Sequence, residues 1–228
     1  MSNKKRRKID VQSLTFLTIL IVFIGLGGFV LFQSFIDKPE SEAEKRVQVD
    51  IRNQPMLGNS KAPVTIVEFG DFKCPSCKQF HDVVYPILKK EYIDTGKVKF
   101  VFRNFQFIGE DSITAANIAK SIYKQKPAAF WKYYDLIYQH QQDENKVWAT
   151  PEYILPLVKK HIPEINLNKL NEEAKNDKYK QEIVKENQYA RSLQLDGVPA
   201  VFVNGLQIEN PLDFRELKNA IEKELRKK

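Results

Sequence analysis

The sequence predicts an α/β domain with an inserted helical block, preceded by a single N-terminal transmembrane helix. Two apolar β-rich runs flank an amphipathic helix, a long helical stretch follows, and a third β-rich run with a hairpin signal lies near the carboxyl end. With 228 residues, 43% of them hydrophobic and 29% charged, the chain is ordinary for a folded protein. It is also long enough to bury a sizeable core.

The first 35 residues predict an uncleaved membrane anchor. Leu14 to Phe32 is a run of nineteen residues without a charge, close to the roughly 20 that span a bilayer. By the positive-inside rule, the basic tail 1–10 stays in the cytoplasm, the helix spans 11–35, and the rest is extracytoplasmic. A cleaved signal peptide is the alternative, but its apolar run is usually only about 7–15 residues long.

Charge and polarity divide the rest of the chain. Residues 1–39 carry a net charge of +4 and residues 40–228 the remaining +3, with acids and bases interspersed. No basic stripe with interleaved aromatic residues is present there, so nucleic acid is not expected as a partner. The polar residues 36–60 predict a linker and lead-in, and the folded domain is expected over 61–228.

The first half of the domain reads as strand, helix and strand. Pro63 to Phe69 is apolar on both faces, which is typical of a central strand. From Pro75 the apolar residues follow helical spacing, and Pro86 inside that pattern predicts a kink or a break. Val98 to Phe107 predicts the second strand, with aromatic residues at alternate positions.

The second half begins with a helical block over about 110–194. Thr150 before Pro151 is an N-cap signal for one of its helices, and Gly197 is expected to close the last one. A hairpin then turns at Asn204-Gly205. Asp213 with Glu216 predicts a capping box for the final helix.

Cys74 and Cys77 are the two cysteines of the chain, and an exported domain permits them to form a disulfide. Pro75 suits the first helical position, which makes Cys74 the N-cap residue. A sulfur there faces unpaired N–H groups and the positive end of the helix dipole, so its pKa is expected below the free value of about 8.5. Cys77 follows one turn later and is expected to be the more buried, resolving sulfur.

Two other uses of the cysteines stay open. A purely structural disulfide across a loop of four residues would stabilise little. A partial zinc-binding pattern, C-x2-C-x3-H, is formed by Cys74, Cys77 and His81. The other histidines lack ligand-like spacing, and His81 fits a partly exposed helix residue. Covalent haem is disfavoured because Lys78 stands where a C-x-x-C-H motif requires histidine.

Further residues favour redox chemistry over these alternatives. Glu68 stands in an apolar strand, where a carboxylate is costly without a partner or a role. It could take the proton of the resolving sulfur through a water, or else reach solvent at the strand end. Val198-Pro199 precedes a strand, and a cis proline there would leave a backbone edge open to a substrate chain. Lys73 and Lys78 add positive charge, although each alone fits a solvated surface residue.

The residues quoted so far resemble a known family. Glu68-Phe69, the CPSC motif of residues 74–77 and the segment 198–205 are similar to the DsbA-type branch of the thioredoxin superfamily, most of all its membrane-anchored Gram-positive members. The resemblance extends over roughly residues 52–227 and includes the helical block. It implies a thioredoxin fold with a helical insertion, and a protein that donates a disulfide to exported proteins with cysteines.

The resemblance also implies roles and partners. A DsbB-like quinone-linked membrane protein would re-oxidise the domain, and no cofactor or metal is expected beyond the redox-active pair. By position, the resemblance implies four roles: Cys74 as nucleophile, Cys77 as resolving sulfur, Glu68 as buried acid and Pro199 as cis-proline beside Val198.

One departure bears on the direction of electron flow. The best-known oxidants of the family have histidine as the second residue between the cysteines, where this chain has Ser76 after Pro75. A hydroxyl donates a hydrogen bond to a thiolate but brings no charge. An anchored reductase of the same fold is therefore one alternative, and a non-catalytic peptide-binding domain is the alternative of another class.

Overall fold

The structure is a computed structural model that describes residues 46–227. The predicted cytoplasmic tail 1–10 and membrane helix 11–35 lie outside this range. Over the described residues, no helix combines the length and the apolar character that crossing a membrane requires.

A five-stranded mixed sheet forms the centre of the domain, in the order β1-β3-β2-β4-β5. Strands β2 and β3 are parallel, and the other neighbours are antiparallel. The strands are β1 Met56–Gly58, β2 Val64–Gly70, β3 Val98–Asn104, β4 Ala200–Val203 and β5 Leu206–Gln207. The apolar run that predicted a central strand is confirmed, since β2 lies between β3 and β4.

The helices begin directly after β2. The helical run that connects β2 to β3 consists of α1 Pro75–Gln79, a π-helical turn Phe80–Val84, α2 Tyr85–Leu88 and a second π-helical turn Lys89–Ile93. The helical block then contains α3 Glu110–Gln125, α4 Ala129–Gln139, α5 Pro151–His161, α6 Leu167–Lys175 and α7 Lys180–Ser192, and α8 Phe214–Leu225 follows the hairpin.

Pro86 does not interrupt the connecting run. The chain stays helical from Pro75 to Ile93, and Pro86 lies in the first turn of α2. The preceding π-helical turn lets the N–H of Tyr85 reach the carbonyl of Phe80. A proline at the start of a helical segment needs no N–H partner, so the expected break is replaced by a change of helical pitch.

The sheet separates two apolar layers. On one face, the connecting run and the helical block bury an aromatic cluster that includes Phe72, Phe80, Phe100, Phe102, Phe130 and Tyr134. On the other face, Val67, Phe69, Val101 and Phe202 pack with Ala190 of α7. Glu68 therefore lies in the central strand with both neighbouring strands beside it, paired with Phe102 and Val201.

Residues 46–60 belong to the folded domain instead of the predicted linker. Arg46 bridges to Leu206, the Val47 N–H donates to the Gly205 carbonyl at 2.8 Å, and β1 pairs with β3. These contacts are made largely by backbone groups, so the polar composition of the segment gave no sign of them.

Three predicted boundaries also differ. Strand β3 ends at Asn104, because the N–H groups of Gln106 and Phe107 beyond it bond to the side chains of Asn187 and Asp71. Helix α7 ends at Ser192, well before Gly197. Only one side of the predicted capping box of α8 is present. The Asp213 side chain accepts from the Arg215 N–H, but Glu216 accepts from the N–H groups of residues 209 and 210 instead of the Asp213 N–H.

Other local signals are confirmed. Thr150 caps α5 by accepting from the Tyr153 N–H, with Pro151 as the first helical residue. Asn204 and Gly205 both have positive φ, 47° and 83°, as the predicted two-residue turn requires. A side chain at Gly205 would also meet the Val47 carbonyl at 2.3 Å, so the turn and the lead-in segment both require glycine there.

Candidate active site

Cys74 lies at the N-terminal end of α1, where the backbone changes from extended to helical. Its φ and ψ are −71° and 123°, and Pro75 follows as the first helical residue. A hydrogen bond from the Cys77 side chain and the N–H groups of Cys77 and Ser76 lower the pKa of Cys74 to about 7, against the opposing effect of burial. Pro75 and Ser76 are exposed, so the motif faces solvent.

Cys77 has the opposite environment. Its side chain is fully buried, whereas Cys74 retains 8% of its surface. Burial, followed by the hydrogen bond to Cys74, raises the pKa of the Cys77 thiol well above its usual range. One helical turn therefore contains one sulfur that ionises near neutral pH and one that keeps its proton, and the structure has both as free thiols.

Glu68 is fully buried in the middle of β2. The Tyr134 hydroxyl donates to its Oε2 at 2.7 Å. Its Oε1 is buried and has no hydrogen-bond partner among the described residues. Burial raises the pKa of Glu68 to about 8, which Tyr134 and the positive charge of His81 partly oppose. The alternative of a strand-end glutamate that reaches solvent is wrong.

The Val198–Pro199 peptide bond is cis and lies beside the cysteines. The Cys74 Sγ is 3.5 Å from the Val198 carbonyl oxygen. Val198 and Pro199 are both partly exposed, and β4 begins directly after them. The structure therefore places Val198 and Pro199 beside Cys74. Glu68 lies close enough to Cys74 and Cys77 to interact with both electrostatically.

Lys73 is buried, and the expectation of a solvated surface lysine is wrong for it. Only 3% of its side chain is exposed, and its Nζ lies 2.7 Å from Asp111 Oδ1 and 2.9 Å from the Lys146 carbonyl. Asp111 also accepts from the N–H groups of Trp148 and Ala149. The residue before Cys74 is thereby fastened to α3 and to the loop before α5.

His81 also differs from its prediction. It is 7% exposed instead of partly solvated. Its Nδ1 lies 2.8 Å from Asp82 and its Nε2 lies 3.1 Å from Asp135, so neither nitrogen is available to a metal shared with the cysteines. Within residues 46–227, no group of three or more His, Cys, Asp or Glu residues could hold a metal ion.

Three residues that position the motif were missed. The Asp71 carboxylate accepts from the N–H groups of Lys73, Phe107 and Ile108. Gln106 bonds to Phe72 and Gly70. Gln141, just beyond α4, donates to the Phe72 and Cys74 carbonyls at 2.9 and 3.1 Å. Asp71 follows the first predicted strand and Gln106 lies near the end of the second, which was a weak signal, and Gln141 had none.

Comparisons with known proteins agree with this geometry. A family model described as Thioredoxin matches residues 51–223. A probable disulfide bond formation protein D of Bacillus anthracis is 38% identical over 224 residues, covering 98% of this chain and all of that protein. The chain belongs to the DsbA-like thiol–disulfide oxidoreductases of the thioredoxin superfamily.

Solved structures of DsbA-like proteins show the same architecture. The crystal structure of oxidised BdbD from Bacillus subtilis has a TM-score of 0.76 and 36% identity, covering 79% of this chain and 97% of that one. DsbA of Chlamydia trachomatis has a TM-score of 0.71 and 26% identity, covering 80% and 96%. The predicted thioredoxin fold with a helical insertion is confirmed, and the chain is an enzyme of the thiol–disulfide oxidoreductase class.

Proposed function

We propose that this oxidoreductase donates the Cys74–Cys77 disulfide to exported proteins outside the cytoplasm. A substrate thiolate attacks the Cys74 sulfur, the bond to Cys77 breaks, and Cys77 leaves and takes up a proton. A second substrate thiolate then attacks the substrate sulfur of the mixed disulfide and releases Cys74 as a thiolate. The substrate loses two electrons and gains a disulfide, and the enzyme is left as a dithiol.

The observation that most supports this direction is the placement of Cys74. Its sulfur faces the N–H groups of Cys77 and Ser76 at the helix start and receives the Cys77 hydrogen bond. These contacts stabilise a thiolate and therefore the reduced form of the enzyme. A disulfide whose reduced form is stabilised is a strong oxidant. The Bacillus anthracis relative is named a probable disulfide bond formation protein, which supports the same direction.

Glu68 is suited to the proton transfers at Cys77. Its buried Oε1 has no hydrogen-bond partner within residues 46–227, and a carboxyl with a pKa of about 8 exchanges a proton near neutral pH. We propose that Glu68 gives a proton to Cys77 when the enzyme disulfide opens. In the reverse direction the Glu68 carboxylate takes the proton of the Cys77 thiol when Cys77 attacks a mixed disulfide. A water carries this proton if the carboxylate and the thiol are not in contact.

The surface around Cys74 suits an extended, partly apolar substrate segment. Val198 and cis-Pro199 present backbone next to the sulfur. Phe107 and Val147 expose apolar side chains, 46% and 79% respectively. Both are close to the loop 71–73, because the Phe107 N–H donates to Asp71 and the Lys146 carbonyl, just before Val147, accepts from Lys73. We propose unfolded or folding exported proteins as substrates, a DsbB-like quinone-linked membrane protein as the re-oxidising partner, and tethering by the helix 11–35.

The reduction potential tests the proposed direction. We expect the fragment from about residue 46, equilibrated with glutathione, to give about −200 mV or higher, the range of disulfide donors. A value of about −270 mV or lower would contradict donation and favour the reductase of the same fold. A peptide-binding domain without catalysis predicts no turnover with a dithiol substrate at any potential.

Two serine variants test the assignment of the sulfurs. Incubated with a disulfide such as oxidised glutathione, Cys77→Ser should accumulate a mixed disulfide, because the Cys74 thiolate displaces one thiolate of that disulfide and the resolving sulfur is gone. Cys74→Ser should form none, because the remaining sulfur is buried and protonated. Equal trapping by both variants, read by mass spectrometry, would overturn the assignment.

A further inference from the structure

His81, in the π-helical turn that follows α1, is held between two carboxylates. Its Nδ1 lies 2.8 Å from Asp82 Oδ1 and its Nε2 lies 3.1 Å from Asp135 Oδ1. His81 retains 7% of its surface, whereas the side chains of Asp82 and Asp135 are 42% and 46% exposed. The ring is therefore inside the protein while both of its anionic partners remain in contact with water.

Both contacts require a positively charged ring. A carboxylate only accepts hydrogen bonds, and a neutral imidazole has only one N–H to donate. The second nitrogen of a neutral ring would direct its lone pair at a carboxylate oxygen, so only the imidazolium satisfies both sides. Burial opposes this charge, but the hydrogen bonds that the ring donates to Asp135 and Asp82 outweigh it and raise the pKa of His81.

Tyr134 connects this cation to Glu68. The His81 ring packs edge to face on the Tyr134 ring, with 5.4 Å between centroids. The Tyr134 hydroxyl donates to Glu68 Oε2 at 2.7 Å. A charge one aromatic ring away from a fully buried carboxyl acts through protein, where it is screened less than charges at the surface. Asp82 and Asp135 lie at that surface and counteract the field only weakly.

We propose that His81 is a positioning residue: a fixed positive charge that acts across Tyr134 and keeps Glu68 able to release its proton near neutral pH. This inference depends on the role of Glu68 proposed above. Without the charge, the Tyr134 hydrogen bond would be left to oppose burial, and the proton would be held on Glu68 more tightly. Cys77 would then lack a base when it attacks a mixed disulfide, and that step would slow.

The other ionisable groups around His81 do not supply this charge. Lys78 is the cation closest in sequence, but it is paired with Asp82 at 2.6 Å with 34% of its side chain exposed. The remaining titratable groups that contact His81 or Glu68 or act on them electrostatically are neutral or acidic: Cys74, Cys77, Tyr85, Tyr134, Asp135 and Tyr138.

The test measures the second step of the reaction with oxidised glutathione, in which Cys77 releases glutathione from Cys74. In His81→Phe, which keeps a ring but removes the charge, the pH midpoint of this step should rise by about one unit, tenfold in rate on the sloping limb. His81→Lys restores a cation and should return the midpoint toward that of the natural protein. His161→Phe, on the exposed end of α5, is the matched control and should leave it unchanged.

The outcomes separate the two proposals. If Glu68→Gln leaves the profile unchanged, Glu68 is not the base and both ideas fail. If Glu68→Gln flattens the pH profile, Glu68 is the base. The role of His81 alone is then overturned if the profile of His81→Phe coincides with that of the natural protein, or if the profile of His81→Lys coincides with that of His81→Phe. NMR titration of the unaltered protein gives an independent result that no folding defect can obscure: a His81 ring that is neutral at pH 7 would overturn the inference.

Discussion

At Cys74 and Cys77, position within a single helical turn determines which sulfur ionises. Cys74 is the N-cap residue and receives two amide N–H groups in addition to the Cys77 hydrogen bond. Cys77 is inside the helix and fully buried, so its charged form loses solvation without gaining a compensating cation. The same pair of residues elsewhere in the chain would not be distinguished in this way.

The Cys77 hydrogen bond gives a prediction at the residue scale. In Cys77→Ala the pKa of Cys74 should rise from about 7 toward its ordinary value, because the largest cause of its lowering is lost. Cys77→Ser keeps an O–H donor and should raise it less. The ultraviolet absorbance of the thiolate, titrated with pH, measures both variants. Identical curves for Ala and Ser would show that the helix N–H groups alone stabilise the thiolate.

Site residues whose partners are close in sequence could be predicted, and a site residue with a distant partner could not. The N-cap position of Cys74 follows from Pro75, and the cost of burying Glu68 follows from the apolar residues around it, so both could be predicted. Lys73 could not, because Asp111 lies 38 positions further along the chain. Its charge suggested a surface residue, and only the packing of α3 against the active-site loop makes burial favourable.

At the scale of elements, Lys73 and Asp111 join the active-site loop to the helical block. Their side chains are 3% and 6% exposed and 2.7 Å apart. Asp111 simultaneously satisfies the N–H groups of Trp148 and Ala149. Because this one carboxylate serves three donors from two different loops, the helical block and the residue before Cys74 are positioned together.

Loss of this ion pair gives a prediction for stability. Lys73→Met leaves Asp111 buried without its cation, which should lower the free energy of unfolding by about 3–5 kcal/mol. Lys78→Met removes a lysine from a solvent-exposed pair with Asp82 and should cost less than about 1 kcal/mol. Urea unfolding of the two variants tests this. Equal losses would mean that burial of the Lys73 pair has no energetic consequence.

Element boundaries were less predictable than the elements themselves. The aromatic alternation of Val98 to Phe107 indicated a strand, but the side chains of Asn187 and Asp71 accept from the N–H groups of Gln106 and Phe107 after Asn104. In α8, Glu216 had an alternative pair of N–H donors in the loop before the helix. In both places a backbone or side-chain group bonds to a partner other than the one that the pattern indicated.

For the whole molecule, the ionisation of Cys74 connects redox state to stability. The reduced form contains a thiol with a pKa of about 7 in the native state and about 8.5 when unfolded. Between these values the unfolded chain binds more protons, so the stability of the reduced form rises with pH. The contribution is complete above the unfolded pKa and is lost as pH falls through the native one. The oxidised form has no thiol at Cys74 and lacks this contribution.

We therefore expect the reduced protein to be more stable than the oxidised protein at neutral pH, by a margin that grows from about pH 6 to about pH 8. Because burial raises the pKa of Glu68, its ionisation destabilises both the reduced and the oxidised form as pH rises. This contribution largely cancels in the difference between their stabilities. Above about pH 8.5 the Cys77 thiol of the unfolded chain also ionises and acts in the opposite direction, so the comparison ends there.

Urea unfolding of both forms at each pH measures the margin. As a control, Cys74→Ser lacks the thiolate, so the difference in stability between Cys74→Ser and Cys74→Ser/Cys77→Ser should not vary with pH over this range. A margin that stays constant or shrinks over this range would mean that the thiolate of Cys74 is not stabilised by the fold, and the driving force for disulfide donation would have to lie elsewhere.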